Sequence, residues 1–318
     1  MRLAPSIVVL SDGAAGNEVQ ASALAGALGS EPARVLRVRA RWPYSALVPR
    51  WAPVLAPEQW SPSLRMDPWP QLAVGCGRVG AAALLTLQRA SGGATRTVQI
   101  LDPRIAPERF DLLVVPEHDR VRGPNVLTIA GGLNAIDDGW LMRERRVRAD
   151  LGRQPAPRTL VLVGGRRRGV HVDAGDWRRM VGIVRQWKTQ QGGSLWVVGS
   201  RRTPASWVRR LRRLCADADV LWFGPADGEN PYRGALAWAD RIVVGADSVN
   251  MQSEALATGR PVYALCAQAP AGKLGRFHRA QVRAGRLRLL GDEVADWNYV
   301  PLRELERIAP LLRERLGL

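Results

Sequence analysis

Short, almost wholly apolar runs alternate with stretches of helical length along this chain, and the pattern starts twice. "SIVVL" leads to "NEVQASALAGALG", and "QLAVGCG" leads to "RVGAAALLTLQRA". "RTVQILD", "FDLLVVP" and "NVLTIAGGLN" follow. After an Arg-rich stretch, "TLVLVGG" opens a second series through "SLWVVGS", "VLWFG", "RIVVGA" and "PVYAL", again with helical segments between. Strands that are apolar at every position are covered on both faces, and intervening helices supply the cover. The expected fold class is α/β, with two Rossmann-like doubly wound domains facing a cleft. The polar, proline-bearing "RRVRADLGRQPAPRT" marks the boundary. Residues 1–150 form the first domain, on the acceptor side. Residues 151–300 form the second, and 301–318 a closing helix that packs back on the first.

A length of 318 residues with 46% hydrophobic content suits two soluble domains. No apolar run is long enough for a spanning helix, and "MRLAPSIVVLSDG" reads as a first strand rather than a signal peptide. Cys76, Cys215 and Cys266 lie far apart, as do His118, His171 and His278. Neither set has metal-ligand spacing, so no metal site is expected and a reducing compartment is the default. The expected location is cytoplasmic, with peripheral attachment to the inner membrane face as its extension.

The formal charge of +17 selects anionic partners. Nucleic acid is not expected: no zinc-finger spacing, ribonucleoprotein aromatic motif or recognition helix is present. Trp42, Trp51, Trp60 and Trp69 recur every nine residues among prolines and arginines in residues 41–70. That segment is either a loop whose tryptophans cap a core or a surface for anionic membrane.

Three glycine-bearing loops follow strand ends, where open α/β sheets bind ligands and helix N-termini favour phosphate. The first, "SDGAAGNEVQ", carries Gly13 and Gly16; the second, "GGRRRGVHV", carries Gly164, Gly165, Arg166, Arg167 and Arg168; the third is "GADSVNMQSE". Arginines after a strand suit a diphosphate through bidentate bonds. Ser248, Asn250 and Ser253 are candidate caps and ligand contacts. Glu254, expected in the first helical turn, is either a partner for the helix dipole or an acceptor for two ribose hydroxyls. "VGCGRVGAA", with Gly75, Gly77 and Gly80, is a second candidate nucleotide loop.

"VVGADSVNMQSEALATGRPVYAL" resembles the donor-site strand, loop and helix of the mitochondrial fission protein family named for elongated mitochondria. "SDGAAGNEVQ", "VQILDPR", "FDLLVVPEHD", "GPNVLTIAGGLN" and "GENPYRGALAWAD" carry the same resemblance. The family is similar to GT-B glycosyltransferases, and a bacterial member is expected. The resemblance implies transfer from a nucleotide-sugar donor, with UDP as the nucleotide and no permanently bound cofactor. Glu254 would then grip the ribose, Ser248, Asn250 and Met251 would line the sugar-phosphate side, and Gly164 and Gly165 would approach the diphosphate, with Asp247 a further binding candidate. The family pattern has His where this chain has Asn17, and Asn is no general base near neutral pH. Asp12, Glu18, Asp102, Glu117, His118 and Asp119 are the alternatives, with Glu117 and His118 singled out. A nucleotide-sugar epimerase or hydrolase, and a non-catalytic module recruited to membranes, are the competing readings.

Overall fold

The computed structural model describes residues 6–29, 33–48, 55–167, 169–265, 270–291 and 293–318. Trp51, Arg168 and Cys266 lie outside them. The chain divides into two compact units, Met1–Ala135 with Arg303–Leu318, and Ile136–Leu302. The division thus falls before the 145–159 stretch.

The first unit is built on strands β1 (Ile7–Ser11) and β2 (Arg34–Arg37), a small antiparallel pair β3 (Arg39–Ala40) and β4 (Trp60–Ser61), then β5 (Leu72–Cys76), β6 (Arg96–Ile100), β7 (Leu112–Pro116) and β8 (Val126–Ile129). Its main sheet runs β2-β1-β5-β6-β7-β8, with every neighbouring pair parallel. Side chains alternate between faces with a period of two. Val9, Val74, Val98 and Val114 therefore meet Leu24 and Leu28 of α1 (Ala15–Leu28). Val8, Leu10, Ala73, Leu113 and Val115 meet the alanines and leucines of α2 (Gly77–Ala90) on the other face.

The second unit begins with α3 (Asp138–Val147) and α4 (Ala149–Gly152). It continues through β9 (Arg158–Val163), α5 (Ala174–Gln191), β10 (Ser194–Gly199), α6 (Ala205–Leu214), β11 (Val220–Trp222) and α7 (Tyr232–Trp238). It ends with β12 (Arg241–Gly245), α8 (Val249–Ala257), β13 (Val262–Leu265), α9 (Gly272–Arg283) and β14 (Leu287–Leu289). The sheet order is β11-β10-β9-β12-β13-β14, all parallel. Val161, Val163, Val197 and Val243 pack on Trp177, Met180, Val184 and Trp187 of α5. α5 starts cleanly because Asp173 accepts from the Gly175 and Asp176 amides and Asp176 accepts from Asp173.

α3 belongs to the second unit because it packs on α7, and the Arg145 guanidinium donates to the Ala237 carbonyl at 2.8 Å. The last helix, α10 (Glu304–Leu316), lies against α1 in the first unit and buries Ile308, Leu312 and Leu316 there. No helix among the described residues is long and apolar enough to cross a membrane.

Candidate functional site

A parallel sheet binds ligands outside its carboxyl ends where the strand order reverses, because neighbouring connections there leave in opposite directions. In the second unit that point lies between β9 and β12. The loops leaving these two strands hold Gly164 and Gly165 on one side and residues 246–248 on the other. Asp247 joins them. Its carboxylate accepts from the Gly165 amide at 2.9 Å and pairs with Arg202 at 3.3 Å. Arg167 donates to the Asp247 carbonyl at 3.0 Å. Burial raises the Asp247 pKa, against the lowering effect of the Gly165 amide and Arg202.

Both glycines are required by this contact. A Cβ on Gly164 would collide with the Asp247 carboxylate, and one on Gly165 with the Arg202 carbonyl. The Gly165 amide expected to approach a diphosphate is therefore occupied by Asp247. Arg166 and Arg167 stand exposed just beyond.

Ser248 caps α8 by accepting from the Met251 amide at 3.4 Å. Gln252 donates to the Gly245 carbonyl at 3.2 Å and ties the helix to β12. Met251 and Ser253 are buried, whereas Asn250 is half-buried. Glu254 lies beyond the first turn of α8, contrary to the sequence expectation, because the helix begins at Val249. The N-terminal dipole weakens within a turn and does not account for it. Its Oε2 instead accepts a hydrogen bond from the Tyr232 hydroxyl of α7. Burial raises the Glu254 pKa, and the Tyr232 bond opposes that rise.

In the first unit the strand order reverses between β1 and β5. Gly13 turns the chain after β1 with φ +79°, and Asp12 accepts from the Ala14 amide at 2.9 Å. Asn17 donates to Asp12 at 3.2 Å. A Cβ on Gly77 would lie 2.8 Å from Asn17 Nδ2, so the N-terminal turns of α1 and α2 close against each other. Gln99 donates to the Gly77 carbonyl at 3.1 Å and anchors the start of α2. Gly16 contributes its carbonyl, which accepts from Gln20 at 3.2 Å. Gly75 and Gly80 serve packing: a Cβ on Gly75 would lie 2.8 Å from Leu84, within α2.

The candidate bases separate by position. Glu18 is bound by Ser11 at 3.0 Å and by both ends of the Arg37 guanidinium at 2.9 and 2.8 Å, which commits it to structure. Asp102 pairs with Arg104 after β6. Glu117, His118 and Asp119 follow β7, two strands from β5, so they are not on the loops that meet at the reversal. Glu117 is exposed, His118 half-buried and Asp119 buried.

Among the described residues no group of three His, Cys, Asp or Glu is arranged to hold a metal. The chain does contain an Asp-x-Asp, at Asp217 and Asp219. These carboxylates pair with Arg185 at 2.6 Å and Lys188 at 2.7 Å, before β11 and at the opposite sheet end from the site. Burial raises the Cys76 and Cys215 thiols, the latter to about 11, so neither is a ready nucleophile. Of the spaced tryptophans, Trp60 is wholly buried and donates to Thr86 at 3.2 Å, Trp69 packs on the same core, and Trp42 is 87% exposed.

Sequence reasoning did not single out Tyr232 or Arg202. Tyr232 follows Asn-Pro at a helix start, a visible signal, but its partner lies on another helix.

Two parallel six-stranded sheets, each with its loops meeting at a strand-order reversal, define a GT-B-like architecture. The chain belongs to the mitochondrial fission ELM1 family, whose model matches residues 15–316. It is 27% identical over 275 residues to the mitochondrial fission protein ELM1 of Arabidopsis thaliana, covering 78% of this chain and 64% of that protein. The chain thus spans less than two thirds of that relative. Its fold is similar to the UDP-GlcNAc 2-epimerase of Methanocaldococcus jannaschii, with TM-score 0.57, 12% identity, and 97% and 99% of the two chains covered. It is likewise similar to the glycotransferase of kitacinnamycin, with TM-score 0.52, 14% identity, and 100% and 94% covered.

Proposed function

We propose that this protein is a nucleotide-sugar-dependent glycosyltransferase of GT-B type, taking a UDP-sugar as donor without a resident metal or cofactor. One observation carries the reading. Glu254, the Ser248-capped helix and the exposed Arg166 and Arg167 all lie at the carboxyl-end reversal of the second sheet. A carboxylate there accepts from both ribose hydroxyls, and arginines there meet the diphosphate.

In the reaction, the bond between the anomeric carbon and the diphosphate oxygen breaks, and its electron pair leaves with the nucleoside diphosphate. The acceptor hydroxyl forms the new bond and loses its proton. Arg166, Arg167 and Arg202 supply positive charge where the leaving group gains negative charge. The basic surface and exposed Trp42 favour an acceptor at an anionic membrane, on its cytoplasmic face.

Calorimetric titration with UDP and a panel of UDP-sugars tests the donor site. Glu254→Ala should weaken binding about tenfold or more, the loss of one charge-assisted pair of bonds. Absence of nucleotide binding up to millimolar concentration would sink the reading. Asn17 supports a second reading, a module that binds the nucleotide-sugar without transferring it. Product analysis with bound UDP-sugar separates the two, and also reveals epimerisation or hydrolysis.

A further inference from the structure

Glu254 carries an unusual set of contacts for a carboxylate at a charged site. Among the described residues it has no ion pair, and its Oε2 accepts from the Tyr232 hydroxyl. Arginines are abundant in this chain, yet the partner provided is a neutral phenol. A phenol satisfies one carboxylate oxygen without neutralising the charge. The other oxygen keeps its capacity to accept hydroxyl donors.

Tyr232 is delivered by a rigid support. It is the first residue of α7, after Asn230 and Pro231, and the Asn230 side chain accepts its amide at 3.0 Å. α7 is pressed on α4: a Cβ on Gly234 would meet the Arg148 side chain at 2.5 Å. Trp238 Nε1 also donates to the Arg148 carbonyl at 2.9 Å. The Glu254 end is equally fixed. Gln252 binds β12, and the Leu302 amide donates to the Leu256 carbonyl at 3.1 Å. Two anchored helices thus meet through one hydroxyl-to-carboxylate bond.

We infer that Tyr232 is a positioning residue for nucleotide binding, holding Glu254 by Oε2 so that Oε1 accepts from the vicinal hydroxyls of a ribonucleotide. This rests on the reading of Glu254 as the ribose ligand. It adds a specific consequence: the Tyr232 bond pulls Glu254 toward its ionised form, because a donor to the carboxylate favours the charged form. Burial acts in the opposite direction on Glu254. Burial, and with it Glu254, raises the Tyr232 hydroxyl, which stays a donor. Tyr232 is the titratable group that faces Glu254 from α7, and among the described residues no charged group from another element acts on the pair.

The test is UDP binding by calorimetry from pH 5 to 8 in the full chain, wild type against Tyr232→Phe. It is paired with carboxyl 13C NMR titration of Glu254 without nucleotide, using Glu254→Gln to assign the resonance. Tyr232→Phe should move the acid limb of binding upward by about half a unit to one unit, the worth of one hydrogen bond. The Glu254 titration should move by the same amount. At pH 8, where both carboxyls are ionised, the difference between the two proteins should shrink to the part lost with positioning, with Tyr232→Phe still the weaker binder. An unmoved limb with UDP still bound would overturn the role of Tyr232 and leave the nucleotide reading intact. A moved NMR titration with no UDP binding at any pH would overturn the nucleotide reading and reduce the pair to a strut between helices.

Discussion

Gly164 and Asp247 share a space that admits no further atom: a Cβ on Gly164 would fall within the Asp247 carboxylate. The two residues end neighbouring strands, β9 and β12, at the reversal of the second sheet. The absent side chain of one is therefore the condition for the position of the other. Gly164→Ala should destabilise the second unit by about 1–3 kcal/mol, the usual cost of overpacking, measured by chemical denaturation. Gly164→Ala with Asp247→Ala should cost less than the two single changes summed, since the second removes the obstacle met by the first. Strict additivity would mean the collision is relieved elsewhere.

Glu254 is expected to trade stability for binding. Its carboxyl is raised by burial, so the folded state holds its proton to higher pH than the unfolded state does. Wild-type stability then falls as pH rises from the ordinary carboxylate value to the raised one. Glu254→Gln lacks this loss. The variant should match wild type in acid and exceed it in melting temperature at pH 7 to 8, while its nucleotide affinity drops. A variant equally stable at all pH values would show that the carboxylate is well solvated.

His278 provides the opposite pH signature. It is 4% exposed on α9, and neither ring nitrogen has a hydrogen bond of normal geometry among the described residues. Burial lowers its pKa to about 4, and the nearby Ala246 backbone only partly offsets this. The neutral ring is favoured in the folded state, so the stability it permits is complete above the ordinary histidine value and is lost as pH falls toward 4. His278→Leu should recover about 3 kcal/mol of that acid loss, relative to its own stability at pH 7. Denaturation curves at pH 7, 5.5 and 4 measure it directly.

The tryptophans of residues 41–70 should separate into different classes on substitution. Trp60→Ala should cost about 3–5 kcal/mol, because the ring is buried and its Nε1 bonds Thr86. Trp42→Ala should change stability by less than about 0.5 kcal/mol. On the membrane reading it should nevertheless weaken sedimentation with phosphatidylserine vesicles. Unchanged sedimentation would remove Trp42 from any membrane surface.

The strands were legible because a parallel strand covered on both faces leaves an unbroken apolar run, as in "IVVLS" and "LAVGC". The Ser248 cap was legible for a local reason: its bond reaches only three residues along the chain. The unit boundary was not, because the allegiance of α3 is decided by α7, far along the sequence. Glu254 falls past the first turn because the helix starts directly after the Ser248 cap, and the polar Ser-Val-Asn run does not show that start. Tyr232 escaped notice because its partner is 22 residues away on another element. The pairing of Gly165 with Asp247 spans 82 residues and required the strand order to be known.

The return of α10 to the first unit has a consequence for how the molecule is made. The second unit is one continuous stretch, complete once Leu302 has been added. The first unit begins earlier and ends later. During synthesis on a ribosome, the part of this core that Ile308, Leu312 and Leu316 cover stays open until they emerge after the whole intervening unit. The unit begun first thus closes after the one begun later, and until then the apolar surface that α10 will cover is what a chaperone would find.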